Sequence, residues 1–493
     1  MQRFLSYENT ILAVVMMVSF INPFTSSALT TALPSIGTAY GATDAQLSWV
    51  IELFLISSTV TIMPISKIAD RIGKRHIFLF GVSLFCVSSL AVYFVNSLYG
   101  LFLLRILQGL GSASIFATSM AIVSLVTPPQ RRGRAMGFTI AAVYCGLSFG
   151  PVLGGFFSYY LGWKTIFYFI AFICALAWLV AARSMTKEEW IVNAKGSLDL
   201  PGSLLYALAM IAIMVGLSEV MTLAYAKYLL AAGLLLFLAF LYGEWHRKSP
   251  VLPVRIFAGN RVFSCSSLAA MLNYCATFGI SFLLSIYLQR ITGLNARDTG
   301  LVLLIQPVLM ALLSPVTGAL SDRINPAVLA SSGMILITLG LCLLAVDVSY
   351  PFFWLIALAL VIIGIGFALF TAPNNNAIMG AVTPKYYGAA SSVVSTVRLI
   401  GQVLSVAIIT LILSQSGASA ASDWLAQHIQ QAIQALALPH EGAPHGIVTV
   451  SFGVATMAPE REQLAEELVR RADRAMYRAK QGGRNRIEQA PEP

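Results

Sequence analysis

Glu52, Arg105 and Arg398 are ionisable residues set inside long apolar runs. A charge in a hydrocarbon layer is retained where it faces a cavity, a partner or a transported species. Glu52 and Arg105 each lie about two turns in from the same face, at 1.5 Å rise per residue. Equal depth predicts a Glu52–Arg105 pair in which Glu52 takes up a proton and its attraction to Arg105 changes with state. The competing reading is a static pair, or a Glu52 that snorkels to the interface. Arg398 stands about twelve residues into its run, close to the middle, where substrate contact and structural pairing compete. Asn273, Asn374 and Asn375 are candidates to line a path, although asparagines also bind helices to one another. Glu219, Glu244 and Asp347 stand near run ends and read as solvated interface residues. The six cysteines lie inside apolar runs with no paired spacing, so neither a disulfide framework nor a metal site is indicated.

The elements that hold these residues must be membrane helices. The chain is 58% hydrophobic and 11% charged, with a mean hydropathy of +0.79, against about 25% charged in a soluble domain. This excludes a soluble enzyme, a disordered chain and a nucleic-acid binder. Runs long enough to span occur at roughly 11–33, 46–66, 77–96, 98–124, 135–158, 164–183, 202–221, 226–243, 263–288, 299–320, 327–346, 352–373 and 387–413. That makes about thirteen. The net charge of +10 lies wholly in this part, since residues 1–420 hold 23 Lys and Arg against 12 Asp and Glu. With the N-terminus inside, the inner loops carry seventeen basic residues, among them Lys67, Arg71, Lys74, Arg75, Arg131, Arg132 and Arg134. The outer loops carry Lys164, Lys227, Arg290 and Arg297. The asymmetry predicts a cytoplasmic N-terminus, and it explains the basic surplus without an anionic partner.

The loop after the second run reads Ser66-Lys67-Ile68-Ala69-Asp70-Arg71-Ile72-Gly73-Lys74-Arg75, and Gly318-Ala319-Leu320-Ser321-Asp322-Arg323 repeats it in the second half. Such repetition suggests internal duplication. The fourth run contains Arg105-Ile106-Leu107-Gln108-Gly109-Leu110-Gly111, and the fifth Gly146-Leu147-Ser148-Phe149-Gly150-Pro151-Val152-Leu153-Gly154-Gly155. With Tyr287-Leu288-Gln289 and Pro373-Asn374-Asn375-Asn376, these segments resemble the major facilitator superfamily, in particular its fourteen-helix drug:proton antiporter branch. The resemblance covers about residues 10–413. It implies two helix bundles with two linker helices between them, and energy from a proton gradient with no other cofactor. It also implies a hinge at Gly146, Gly150, Pro151, Gly154 and Gly155, and a cytoplasmic gate latch at Asp70, Arg71, Asp322 and Arg323. Two departures stand out. Thr25 occupies a position where the branch often has an aspartate, and the fourteenth helix is missing.

After residue 414 the texture changes. A small polar linker, 414–422, leads into residues 423–493, where an amphipathic helix at 423–438, a strand at 448–454 and a charged helix at 462–480 are expected. Val448-Thr449-Val450-Ser451-Phe452-Gly453-Val454 and Ala472-Asp473-Arg474-Ala475-Met476-Tyr477 through Arg486 resemble the end of a GGDEF diguanylate cyclase domain. The resemblance implies nucleotide-phosphate contacts at Lys480 and Arg484. No Gly-Gly-Asp-Glu-Phe or Gly-Gly-Glu-Glu-Phe run occurs, so the tail is expected to lack cyclase activity. An odd span count would also place it outside, away from cytoplasmic GTP.

The expected architecture is therefore an all-α polytopic membrane protein with a small incomplete α/β tail. Residues 1–195 form one bundle, 196–255 two linker helices, and 256–413 a five-helix bundle. The expected activity is proton-coupled export of small hydrophobic or amphipathic compounds across the inner membrane, with no nucleic acid or metal partner. A membrane-anchored cyclic-dinucleotide signalling protein and a non-functional fusion of a truncated transporter with a cyclase remnant are the alternatives.

Overall fold

The computed structural model describes residues 7–185, 190–191, 199–218, 225–247, 250–252, 254–290, 294, 296–347, 353–405, 408–409, 452–454, 465–481 and 487–489. The first half contains α1 (Tyr7–Tyr40), α2 (Asp44–Ile72), α3 (Lys74–Leu90), α4 (Leu98–Val126), α5 (Arg132–Tyr160) and α6 (Lys164–Ser184). Next come the linker helices α7 (Leu200–Ser218) and α8 (Ala226–His246). The second half runs through α9 (Arg255–Gly259), α10 (Arg261–Thr277), α11 (Ile280–Arg290), α12 (Ala296–Leu303), α13 (Ile305–Ser321), α14 (Pro326–Asp347) and α15 (Phe353–Gly380). A helix over 387–405, α16, closes it.

Local chemistry sets several helix starts. Thr43 and Gln46 form a reciprocal capping box at α2, satisfying two otherwise orphaned N–H groups. Ser97 accepts from Gly100 N at the start of α4, and Asn260 from Phe263 N at α10. Gly73 ends α2 and starts α3 in one step, at φ 115°, a backbone conformation suited to glycine.

Eleven helices among the described residues are long and apolar enough to cross a membrane. The expected run 263–288 is broken at Phe278-Gly279 into α10 and α11. Gly279 N, freed by the break, donates to Ser405 Oγ of α16 at 2.9 Å, as irregular backbone at membrane depth requires. The expected run 387–413 begins as α16 and continues past the described residues.

The chain divides into two compact units, the first comprising Met1–Met214 with Leu230–Ser405. In this unit α1 packs on α5 and α6, α2 on α4, and α3 on α4 and α6; α13 packs on α5 and α15, and α14 on α15. One apolar core belongs to the first half, around Phe24, Phe54, Phe78, Phe85 and Phe167. A second draws on both halves, joining Ile140 and Tyr144 to Met310, Phe367 and Phe370.

The other unit comprises Val215–Leu229 with Val406–Pro493. Its β1 (Phe452–Val454) pairs in parallel with β2 (Ile487–Gln489). The intervening α17 (Ala465–Gln481) buries Ala475 and Ala479. Parallel strands need such a crossover helix. The expected strand and charged helix thus appear as β1 and α17, while the helix at 423–438 falls outside the described residues.

Candidate transport path and gate

The duplicated loop motifs place two carboxylates against the other half of the molecule. Asp322, at the end of α13, accepts from Gly133 N at 2.7 Å and Arg134 N at 3.0 Å. These are first-turn N–H groups of α5, where the helix dipole favours negative charge. Asp70, at the end of α2, holds the fully buried Lys74 Nζ at 2.5 Å. Asp70 also lies against the start of α16, since a Cβ on Gly388 would sit 2.6 Å from its Oδ1. Between these carboxylates, Arg132 Nη2 donates to Tyr387 OH at 2.8 Å. Arg71 and Arg323 are exposed, so the aspartates make the inter-half contact and the arginines of the motifs do not.

Deeper in, the backbones of α5 and α13 nearly touch. A Cβ on Gly137 would lie 2.3 Å from Ser314 O, and one on Gly318 2.3 Å from Gly133 O. Ser391 Oγ donates to Phe116 O at 2.9 Å. The Arg398 guanidinium lies over the Phe116 ring at 4.6 Å. Tyr144 of α5 faces Tyr274, Thr371 and Arg398 of the second half. These contacts extend from the basic-loop end to the level of Tyr144 and Arg398. Beyond it Leu147, Phe149, Val152 and Phe156 of α5 are exposed.

The glycine-proline face of α5 packs on α1. Cβ atoms on Gly146 and Gly154 would lie 2.4 Å from Phe20 O and 2.6 Å from Ala28 Cα. A Cβ on Gly150 would lie 2.6 Å from Ser27 Cβ. Pro151 has no N–H for the Leu147 carbonyl, and Ser27 Oγ donates to that carbonyl at 3.2 Å instead. The freed carbonyl is therefore satisfied from the neighbouring helix. Gly146→Ala should cost about 1–3 kcal/mol by overpacking, measured as thermal unfolding in detergent. Gly155→Ala, whose Cβ would meet Thr31 Cγ2 at 3.6 Å, should match the unmodified protein.

The expected Glu52–Arg105 pair takes a different form. Arg105 is fully buried, donates from Nε to Val50 O at 2.8 Å and from Nη1 to Gln108 Oε1 at 2.7 Å, and stacks over Phe54 at 4.4 Å. Glu52 is not among its hydrogen-bond partners. Two residues along a helix turn the side chain by about 200°. Val50 and Glu52 therefore point to nearly opposite sides, and Val50 is the one that faces α4.

Asn374 Nδ2 donates to Ser266 O at 3.0 Å, tying α15 to α10, so its amide is helix glue. Asn375 and Asn273 are buried, and Asn273 Nδ2 has no hydrogen-bond partner. Glu244 is buried rather than solvated, accepting from Leu252 N at 2.8 Å and lying 3.5 Å from Arg247. The side chains of Glu219 and Asp347 fall outside the described residues, as does Arg484; Lys480 is exposed on α17.

Four residues carry no motif signal. Asn22 of α1 is buried with both amide atoms lacking hydrogen-bond partners. Its polarity beside Pro23 in an apolar run was the available clue. Tyr206 of α7, fully buried, donates to Thr59 O of α2 at 2.9 Å and faces Thr396 of α16. The Tyr144–Tyr274 contact needs the tertiary fold to become visible.

The family model for the Major Facilitator Superfamily matches residues 15–406, and that for the diguanylate cyclase GGDEF domain matches residues 408–486. The riboflavin transporter RibZ of Clostridioides difficile is 28% identical over 82% of this chain and 88% of its own length. The multidrug resistance protein Stp of Mycobacterium tuberculosis is 29% identical over 82% of this chain and 74% of its own. Among solved structures, the human organic anion transporter MFSD10 shares the fold at a TM-score of 0.61 and 13% identity, covering 82% of this chain and 94% of that one.

Proposed function

Because the chain belongs to the major facilitator superfamily, we propose that this membrane transporter exports amphipathic, drug-like organic compounds in exchange for protons. It does so by alternating access across the cytoplasmic membrane. The observation that carries the reading is the paired latch, in which Asp322 and Asp70 of one half sit at helix starts of the other. Helix-terminus contacts of this kind are made and broken as two rigid halves rock. The basic loops support a cytoplasmic position for the latched end, and on that reading the path is open outward in this conformation. Relatives that include a multidrug resistance protein support drug-like cargo.

Glu52 is the proton carrier in this reading. It is the acidic residue of α2 farthest from a helix end, and it is half-buried. The test is dye efflux from proteoliposomes under an imposed pH gradient. Glu52→Gln should lose at least about tenfold of gradient-driven efflux, equivalent to 1.4 kcal/mol, while passive exchange and membrane insertion stay intact. Undiminished gradient-driven efflux in that variant rules out the assignment.

A second reading rests on one observation: the two family matches abut, ending at 406 and starting at 408. That junction leaves no length for a further span after α16, as a fusion of a shortened transporter with a cyclase remnant would require. Sequencing across residues 400–422 in genomic DNA, together with the efflux assay, separates the two readings. An inserted span or robust efflux removes the fusion reading.

A further inference from the structure

Among the described residues of the second half, Arg398 is the one charge near the middle of a span, and the structure gives it an aromatic floor. Its guanidinium lies over the Phe116 ring at 4.6 Å. Tyr144 faces it from α5 and Tyr274 from α10. The Tyr274 ring in turn meets Phe367 at 6.3 Å between centroids, inclined by 57°. Both halves of the molecule thus contribute to one aromatic-walled site. It lies where the contacts between halves end and the exposed part of α5 begins. The Arg398 side chain is half-buried.

The charge inventory makes the site selective. Lys74 pairs with Asp70, and Arg247 with Asp199 and Glu244; Arg398 is in none of these pairs. Of the acidic residues in residues 1–420, Glu52 alone lies well inside a described span. The hydrogen bond from Ser392 to Ile62 O fixes the antiparallel register of α16 on α2. That register puts Glu52 about one turn farther toward the open end than Arg398, at 1.5 Å per residue. A guanidinium stacked on a ring by its face keeps its in-plane N–H fork available, and that fork matches a carboxylate or similar oxyanion. A midplane charge without a protein counter-charge is costly, and an anionic cargo removes that cost.

We propose that Arg398, with Phe116, Tyr144 and Tyr274, forms a substrate subsite for planar aromatic compounds bearing a carboxylate or comparable anionic group. This rests on the transporter reading above and names its cargo class. The aromatic walls take the ring system, the Arg398 fork takes the anion, and the Tyr hydroxyls supply further donors.

The test is fluorescence binding to the purified full-length protein with two probes that differ only in charge, dansylglycine and dansylglycinamide. The unmodified protein should bind the acid at least tenfold more tightly than the amide. Arg398→Gln should reduce that preference to about one while leaving amide affinity within twofold, and Arg398→Lys should retain part of it. A purely structural stacking role would weaken both probes equally in Arg398→Gln, and that result overturns the proposal. Amide binding without any preference for the acid in the unmodified protein also overturns it, while leaving the transporter reading in place. Binding of neither probe counts against both.

Discussion

Asp322→Ala is expected to open the basic-loop end of the molecule. The substitution strips two first-turn N–H groups of α5, those of Gly133 and Arg134, of the carboxylate that accepts from both. A buried donor left without a partner costs about 1–3 kcal/mol; Gly133 is buried while Arg134 is exposed and can turn to water, so the closed state should lose about 1–3 kcal/mol. Each 1.4 kcal/mol is tenfold in a two-state equilibrium, enough to invert the population. Spin labels at Arg71→Cys and Arg323→Cys, exposed sites on opposite halves, should report a longer distance in the variant. An unchanged distance would show that the α5–α13 glycine contact holds the closed state alone. Acidification should not mimic the mutation. Burial holds the Asp322 carboxyl above the ordinary aspartate range, against the pull of its two N–H donors and Arg132. The latched form therefore binds a proton more readily than a freed carboxylate would. By linkage, this group's contribution favours the latched state as pH falls and fades as pH rises through the raised value.

The latch shows how far sequence spacing reaches. The repeated Asp-Arg motif identified both carboxylates and their equivalent places at the ends of α2 and α13. It could not separate the aspartates, which cross to the other half, from Arg71 and Arg323, which face outward. That separation depends on the helix starts at Gly133 and Gly388, far away in sequence. Depth was legible by counting residues, but azimuth was not. Glu52 and Arg105 share a level and yet diverge, because Val50 takes the face of α2 that meets α4. Composition located the run at 263–288 but not its break, since the freed Gly279 N–H is satisfied by Ser405 from a helix 126 residues later. Glu244 read as solvated from its place near a helix end. Its burial is set by the returning chain at Leu252 and by Arg247, contacts that hydropathy does not register.

Arg105→Leu should be the most damaging single change in the first half, and its pattern of damage distinguishes scaffold from coupling. Arg105 joins α4 to α2 through Val50 O and Phe54, and through Gln108 it reaches Ser89 of α3 at 3.0 Å. Arg105→Leu leaves the buried Gln108 Oε1 without its donor, at a cost of about 1–3 kcal/mol, and also loses the bond to Val50 O and the stack on Phe54. Lysine retains the charge but cannot hold the carbonyl, the amide and the ring together, since it lacks a planar fork; Arg105→Lys should fall between the two. The readouts are thermal unfolding in detergent and two transport assays, passive counterflow and gradient-driven efflux. With its hydrogen bonds confined to the first half, Arg105 acts on the shape of the bundle. Counterflow and efflux should therefore fall together and by the same factor, about tenfold for each 1.4 kcal/mol by which the transport-competent bundle is disfavoured. Glu52→Gln should instead spare counterflow. If Arg105→Leu also spared counterflow while abolishing gradient-driven efflux, the guanidinium would belong to the proton pathway, and the network to Val50 and Gln108 would be only one of its two arrangements.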